Sequence, residues 1–324
     1  MAWLSRLARL AVAAGLTAYI LWKSHPGEVL AVVASADWRP LLLAVALVVI
    51  DRALMAYRWV ELLCTINPGE RPPMAAILRI FFVSTFVGTF LPASVGGDAV
   101  RAYSLSRWNV RAGDAIASVF MDRMLGVTSI LLMALVGLFS ARDLIANVTI
   151  VTALGVAALA STMTLVLIFS ARAESALSRI LDRLPGTVRH PGNRLVEAMR
   201  RYSTHHGSLL GVLAGSVAVQ ILRILQAYLL GRSLNIPAPV AAYFAFIPLI
   251  LLVMLLPVTF NGIGTSQFAF VWFFARAGVE SSPAFALSVL FVALGIVGNL
   301  PGGLLYAFGW GRVPTDAASP AEPG

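Results

Sequence analysis

Nine apolar segments punctuate this chain, at 4–22, 40–60, 74–91, 113–139, 147–170, 208–230, 240–257, 263–276 and 284–310. Several approach the roughly 20 residues that a helix needs to cross a bilayer core. Only 12% of the 324 residues are charged, against about a quarter in a typical soluble domain. In hydrocarbon every backbone polar group must find its partner within the protein, which leaves helices as the solution for such runs. The sequence therefore specifies an all-α polytopic membrane protein.

The net charge of +9 comes almost wholly from arginine, since Lys23 is the only lysine. The arginines lie mostly between apolar segments, with no basic module of the kind that binds nucleic acid. They fit retention of loops on the cytoplasmic side and attraction to anionic lipid. Cys64 is alone, which excludes an intrachain disulfide and a cysteine metal cluster. His25, His190, His205 and His206 show no metal-ligand spacing, so neither a metal nor a cofactor is expected. Arg6 and Arg9 precede the first apolar run, which reads as a retained span rather than a cleaved signal.

Charge parity decides the topology. The interval 171–207 holds seven arginines against Glu174, Asp182 and Glu197, and belongs in the cytoplasm. With Arg6 and Arg9 inside, two spans return the chain to the cytoplasm at Arg58 and Arg71. A full crossing at 74–91 would then strand Arg101, Arg107, Arg111 and the whole 171–207 interval outside. Basic segments agree if 74–112 dips in and returns, and if 240–280 does so from the opposite face. The expectation is about six full spans plus two re-entrant broken-helix hairpins in inverted arrangement. Both termini are then cytoplasmic. The alternative has eight or nine full spans. One transmembrane domain covers 1–312, and the short tail 313–324, rich in Pro and Ala, reads as disordered.

The hairpin tips share a plan, "LPASVGG" from Leu91 and "LPVTFNG" from Leu256. Pro92 and Pro257 end the incoming helices. Gly96 and Gly97, or Gly262 and Gly264, let the backbone turn with positive φ and approach another group closely. Asp98 is a candidate cap for the helix after the first turn, and Thr265 or Ser266 for the one after the second. New helix starts near mid-membrane present free N–H groups to an anion. Paired breaks of this kind point to a transporter's binding site; the alternative is a pair of tight turns between ordinary helices.

Ionisable residues inside the apolar segments mark the same region. Asp51 and Arg52 lie in the second segment, Asp122 and Arg123 in the fourth, and Arg223 in 208–230. Gln220, Arg223 and Gln226 recur every three residues and share one helix face. The acid–base pairs either neutralise one another across helices or line a cavity. Arg223 has two options, a lipid phosphate or one of Asp51, Asp98 and Asp122.

The stretches "LPASVGGDAVRAYSL" (91–105), "DRMLG" (122–126) and "NGIGTSQFAFVWFFARAGV" (261–279) carry a resemblance. With segment count and spacing over roughly 5–310, the chain resembles the flippase-like transmembrane domain of lysylphosphatidylglycerol synthases, which also occurs alone. The resemblance implies a helical bundle in a bacterial cytoplasmic membrane that moves an amphiphilic lipid between leaflets. It implies Asp98, Arg101, Asp122 and Arg123 as cavity residues, with Gly262 and Gly264 in the second break. In similar sequences a glutamate often stands at Gln267 and a glycine at Asn261. The aminoacyl-transfer domain of the synthases is absent, so this chain is not expected to make the lysyl-lipid, and a separate lipid-modifying enzyme is a possible partner.

The leading expectation is a lipid translocase, not an enzyme. It would take an anionic or aminoacylated phospholipid or a polyprenyl-phosphate-linked lipid. Its headgroup site comprises Asp98, Arg101, Asp122, Arg123, Gln220, Arg223, Asn261 and Gln267. An ion-coupled small-solute carrier with Asp98 or Asp122 as proton site is the first alternative. A membrane-embedded glycosyltransferase-like enzyme is weaker, because the 23–39 loop offers only Glu28 and Asp37 as acids.

Overall fold

A computed structural model describes residues 36–66, 72–90, 95–108, 110–140, 170–183, 185–255 and 264–308, with scattered positions at 34 and between 152 and 164. All secondary structure among these is helical. The expected spans at 4–22 and most of 147–170 lie outside the described residues, as do Pro92, Pro257, Asn261, Gly262, Glu28 and the tail.

Four helices form a first set: α1 (Trp38–Ile66), α2 (Met74–Gly88), α3 (Val95–Ser106) and α4 (Ala112–Ser140). Two follow in the basic interval, α5 (Ala171–Leu181) and α6 (Gly186–Arg201). A second set of four closes the chain: α7 (His206–Ser233), α8 (Val240–Leu255), α9 (Thr265–Phe274) and α10 (Ser281–Ala307). Each set reads long, short, short, long. The long helices have 27 to 29 residues, about 40 Å at 1.5 Å per residue, enough to span a membrane. The short ones have 10 to 16 residues, about 15–24 Å, and none crosses a ~30 Å core alone.

The long helices are apolar and span-like because lipid is their solvent. Only 22% of the most apolar window of α1 is buried inside the protein. Leu42, Leu43, Val49 and Ile50 on that helix point outward, as do Leu132, Val136 and Phe139 on α4. In water such faces would be a liability; against acyl chains they need no cover.

Exchanging the two sets leaves the packing pattern unchanged. α4 lies along α8 as α10 lies along α2, and α3 touches α4 as α9 touches α10. α1 and α7, which occupy the same place in their sets, pack together along their length. They run antiparallel. Asp37 N–H donates to Ser233 O (2.9 Å) at one end. Arg223 meets Asp51 midway (3.3 Å), and Tyr202, just before α7, donates to Leu62 O (3.0 Å) at the other.

Two close helix crossings repeat the same relation at atomic scale. A Cβ on Gly137 of α4 would collide with the carbonyl oxygen of Phe244 in α8. A Cβ on Gly302 of α10 would collide with that of Phe82 in α2. Without a hydrophobic drive between helices in lipid, such close backbone approach supplies the van der Waals contact that holds them together. Phe246, Phe270, Phe273 and Phe274 weld α8 to α9, and Trp59, Ile77, Phe81 and Leu105 join α1, α2 and α3.

The basic interval 171–207 is built largely of α5 and α6. α6 packs on α4, and at its end Arg201 pairs with Asp114, which Arg111 also reaches at 3.2 Å. Burial pushes the Tyr202 hydroxyl far above its usual range, so it remains a proton donor to α1. The end of α1, the start of α4 and the α6–α7 junction therefore meet on one face.

Candidate functional site

A cavity of about 330 Å³ opens between the two sets. α1 contributes Asp51, Arg52, Met55 and Arg58 to its wall. Arg52, Met55 and Arg58 recur every three residues, and Asp51 stands one turn before Met55, the spacing of one helix face. α3 contributes Gly97, Asp98 and Arg101, and α4 contributes Asp122 and Arg123. Gln220, Arg223 and Gln226 of α7 all line it, as their spacing predicts. Leu251, Met254 and Leu255 of α8, with Phe291 and Val292 of α10, make another part of the wall apolar. The ions thus come almost entirely from the first set.

The charges divide into three groups. Asp51, 1% exposed, accepts from Arg52 Nη1 at 2.8 Å and from Arg223 Nε at 3.3 Å. Both guanidinium groups also contact Met55 Sδ, at 3.4 and 3.2 Å. Asp122 is shared likewise: Arg58 Nη2 donates to Oδ1 at 2.5 Å and Arg101 Nη1 to Oδ2 at 3.3 Å. Asp98 takes a two-pronged contact from Arg123, 2.5 and 3.1 Å, the fork geometry that suits guanidinium and carboxylate. Arg101 is further wedged between Trp59 and Phe81, with ring centroids 5.1 and 4.8 Å from its guanidinium carbon. Such cation–π contact offsets the lost hydration of a buried cation.

Pairing across helices and lining a cavity, posed by the sequence as alternatives, both hold. Asp122 and Arg123 are adjacent in the chain yet pair with different partners, because successive residues on a helix point about 100° apart. Arg223 takes Asp51 among its three candidates.

Several expectations are corrected. Arg58, expected only as a cytoplasmic-side charge where the second span ends, lies inside α1 and is 4% exposed. Its spacing of two helical turns from Asp51 was the signal that it shares the cavity face. Gly96 and Gly97 are helical residues of α3, and neither has positive φ. Gly97 is needed for proximity instead: a Cβ there would lie 2.8 Å from Ser84 O and 2.9 Å from Gly88 Cα. Asp98 sits within the first turn of α3, past the cap position, and its carboxylate serves Arg123.

At the second break Gly264 does adopt φ of +93°. It is itself the N-cap of α9, in place of Thr265 or Ser266. Gln267 Oε1 accepts from Gly264 N–H at 2.5 Å and from Ser266 Oγ at 3.0 Å. Gln267 is therefore engaged in closing a helix end and does not line the cavity. Asn261 lies outside the described residues. Asp37 lies at the far end of α1, where its carboxylate accepts from Arg39 N–H (3.0 Å).

Sequence reasoning missed Ser84, Thr89 and Asn299. Ser84 Oγ accepts from Arg101 Nε (3.3 Å), and Asn299 Nδ2 donates to Thr89 Oγ1 (2.8 Å). All three line the cavity. Isolated small polar residues in apolar helices carry no pattern that would have marked them.

Long apolar helices, short paired helices and a buried ionic cavity define a polytopic helical membrane protein. A family model described as the lysylphosphatidylglycerol synthase TM region matches residues 6–302, and the chain belongs to that family. The description names a membrane lipid, which suggests a membrane lipid-related function. No curated protein matches the chain closely enough to serve as a relative.

Proposed function

We propose that this protein moves a lipid between the leaflets of a bacterial cytoplasmic membrane, with the headgroup in the charged cavity and the acyl or prenyl chains against lipid. One observation carries the reading. The ions lining the cavity come from α1, α3, α4 and Arg223 of α7, whereas α8 and α10 add a cluster of apolar side chains, Leu251, Met254, Leu255, Phe291 and Val292; the combination matches the two ends of an amphiphile. Guanidinium groups are suited to phosphate oxygens, which they can grip at two points.

The same reading makes α2–α3 and α8–α9 two re-entrant hairpins entering from opposite faces, with six full spans and both termini cytoplasmic. Its support is that the end of α1 and the start of α4 meet the α6–α7 junction on one face. The antiparallel packing of α1 on α7 and the matched crossings at Gly137 and Gly302 agree with it. A separate enzyme that modifies the lipid fits as a partner.

The cavity volume of about 330 Å³ would also hold a small solute whole, which is the observation behind the ion-coupled carrier as second reading. The test is reconstitution in liposomes with fluorescent lipids and a membrane-impermeant quencher. Faster leaflet exchange, reduced at least tenfold by Arg223→Ala, is the expected result. No exchange of any lipid by folded protein, with solute uptake driven by a pH gradient, would replace the translocase by the carrier.

A further inference from the structure

We infer that the headgroup this cavity accepts carries two negative charges on phosphate, as a lipid phosphomonoester does, and that a cationic aminoacyl headgroup is rejected. This rests on the lipid-headgroup reading of the cavity and names its substrate class. Among the described lining residues five are arginines and three are aspartates, a formal excess of two positive charges. The excess has an address. Asp98 takes Arg123 in a two-pronged pair, whereas Asp51 is shared by Arg52 and Arg223, and Asp122 by Arg58 and Arg101. Among the described residues each shared carboxylate leaves one guanidinium charge in formal excess.

Arginine does not give up its proton under physiological conditions, so the cavity cannot neutralise itself by titration as a lysine-lined one could. A buried excess charge is costly until an opposite charge arrives. The two excess charges are anchored seven residues apart on α1, at Asp51 and Arg58, about 10 Å along the helix axis. Arg52 and Arg223 both contact Met55, which stands between these two positions on α1. Arg52 Nε and Gln226 Nε2 are buried and have no hydrogen-bond partner among the described residues, so donors stand ready for phosphate oxygens. Gln220 Oε1 and Asn299 Oδ1, also without partners among the described residues, are acceptors available to a hydroxyl of the headgroup. An ammonium group would add a third positive charge to an unbalanced pair. The apolar wall of Leu251, Met254, Leu255, Phe291 and Val292 favours a phosphate that arrives on a lipid over a soluble one.

The test measures binding of the purified full chain in nanodiscs to lipids with identical acyl chains. The set is phosphatidate, phosphatidylglycerol, phosphatidylethanolamine and lysylphosphatidylglycerol, with glycerol 3-phosphate as the soluble arm. At pH 8 phosphatidate should bind at least tenfold tighter than phosphatidylglycerol, and lysylphosphatidylglycerol weakest of all. The advantage should shrink at pH 5, below the second ionisation of a phosphomonoester at about 6. Arg223→Gln keeps the Asp51–Arg52 pair and should bring phosphatidate down to the affinity of phosphatidylglycerol, while Arg223→Lys should retain the preference. Equal binding of phosphatidate and phosphatidylglycerol at pH 8, or of the lysyl lipid and phosphatidate, would overturn the proposal. Glycerol 3-phosphate binding as tightly as phosphatidate would overturn the lipid as its source. Charge-ordered binding without leaflet exchange would remove the translocase reading alone; exchange of all lipids regardless of charge would remove this inference alone.

Discussion

Asp122 holds two arginines that belong to different helices, and that sharing sets its worth. Arg58 and Arg101 are each at most 5% exposed, so neither can turn to water if the carboxylate loses its charge. Removing one partner of a buried ionic group typically costs about 3–5 kcal/mol. Asp122→Asn should therefore lower stability by about that amount, measured by chemical denaturation in detergent. Asp98→Asn should cost clearly less, because the side chain of its partner Arg123 is 39% exposed and can rehydrate. Equal losses at the two positions would show that burial of the partner is not what matters. The acids themselves were legible in the sequence, because a charge inside an apolar run is conspicuous. Which arginine each would hold was not, because pairing depends on how four helices cross.

At the scale of elements, the short helices decide the architecture. α2 and α10 meet at Gly302, and α4 and α8 meet at Gly137, each with a phenylalanine carbonyl where a methyl group would sit. Overpacking of a tight contact costs about 1–3 kcal/mol. Gly137→Ala and Gly302→Ala should both fall in that range in thermal or chemical unfolding; a neutral result at one with a large loss at the other would break the equivalence of the two sets. The direction of the hairpins is a separate matter. With Cys64→Ser as background, Pro237→Cys and Glu280→Cys should react with an impermeant maleimide from outside the cell. Arg107→Cys and Ala176→Cys should react only after the membrane is opened. Labelling of Arg107→Cys and Glu280→Cys from opposite sides to these would replace the re-entrant arrangement by full crossings. The breaks could be placed from Leu-Pro and Gly-Gly, but their local chemistry could not. Gly97 looked like a turn residue and proved to be a packing residue. Gln267 looked like a cavity residue and proved to close a helix end through a hydrogen bond to Gly264.

For the whole molecule, the pattern of the chain and the shape of the site have different origins. The helical class, the membrane setting and the positions of the long spans follow from the sequence alone, because hydropathy acts segment by segment and lipid forces each segment to satisfy its own backbone. Intramembrane charges at Asp51, Arg52, Asp122, Arg123 and Arg223 likewise announced a site, since lipid tolerates such groups only where protein or water covers them. Arg58 escaped notice because a cation near the end of an apolar run looks like the start of a loop. The lopsided cavity, with all of its described ions but Arg223 from the first set and an apolar cluster from α8 and α10, belongs to the tertiary structure alone. So does the sharing of two aspartates among four arginines. Those features arise from contacts between residues as far apart as Asp51 and Arg223, and no local property of the chain fixes which faces of antiparallel helices come together.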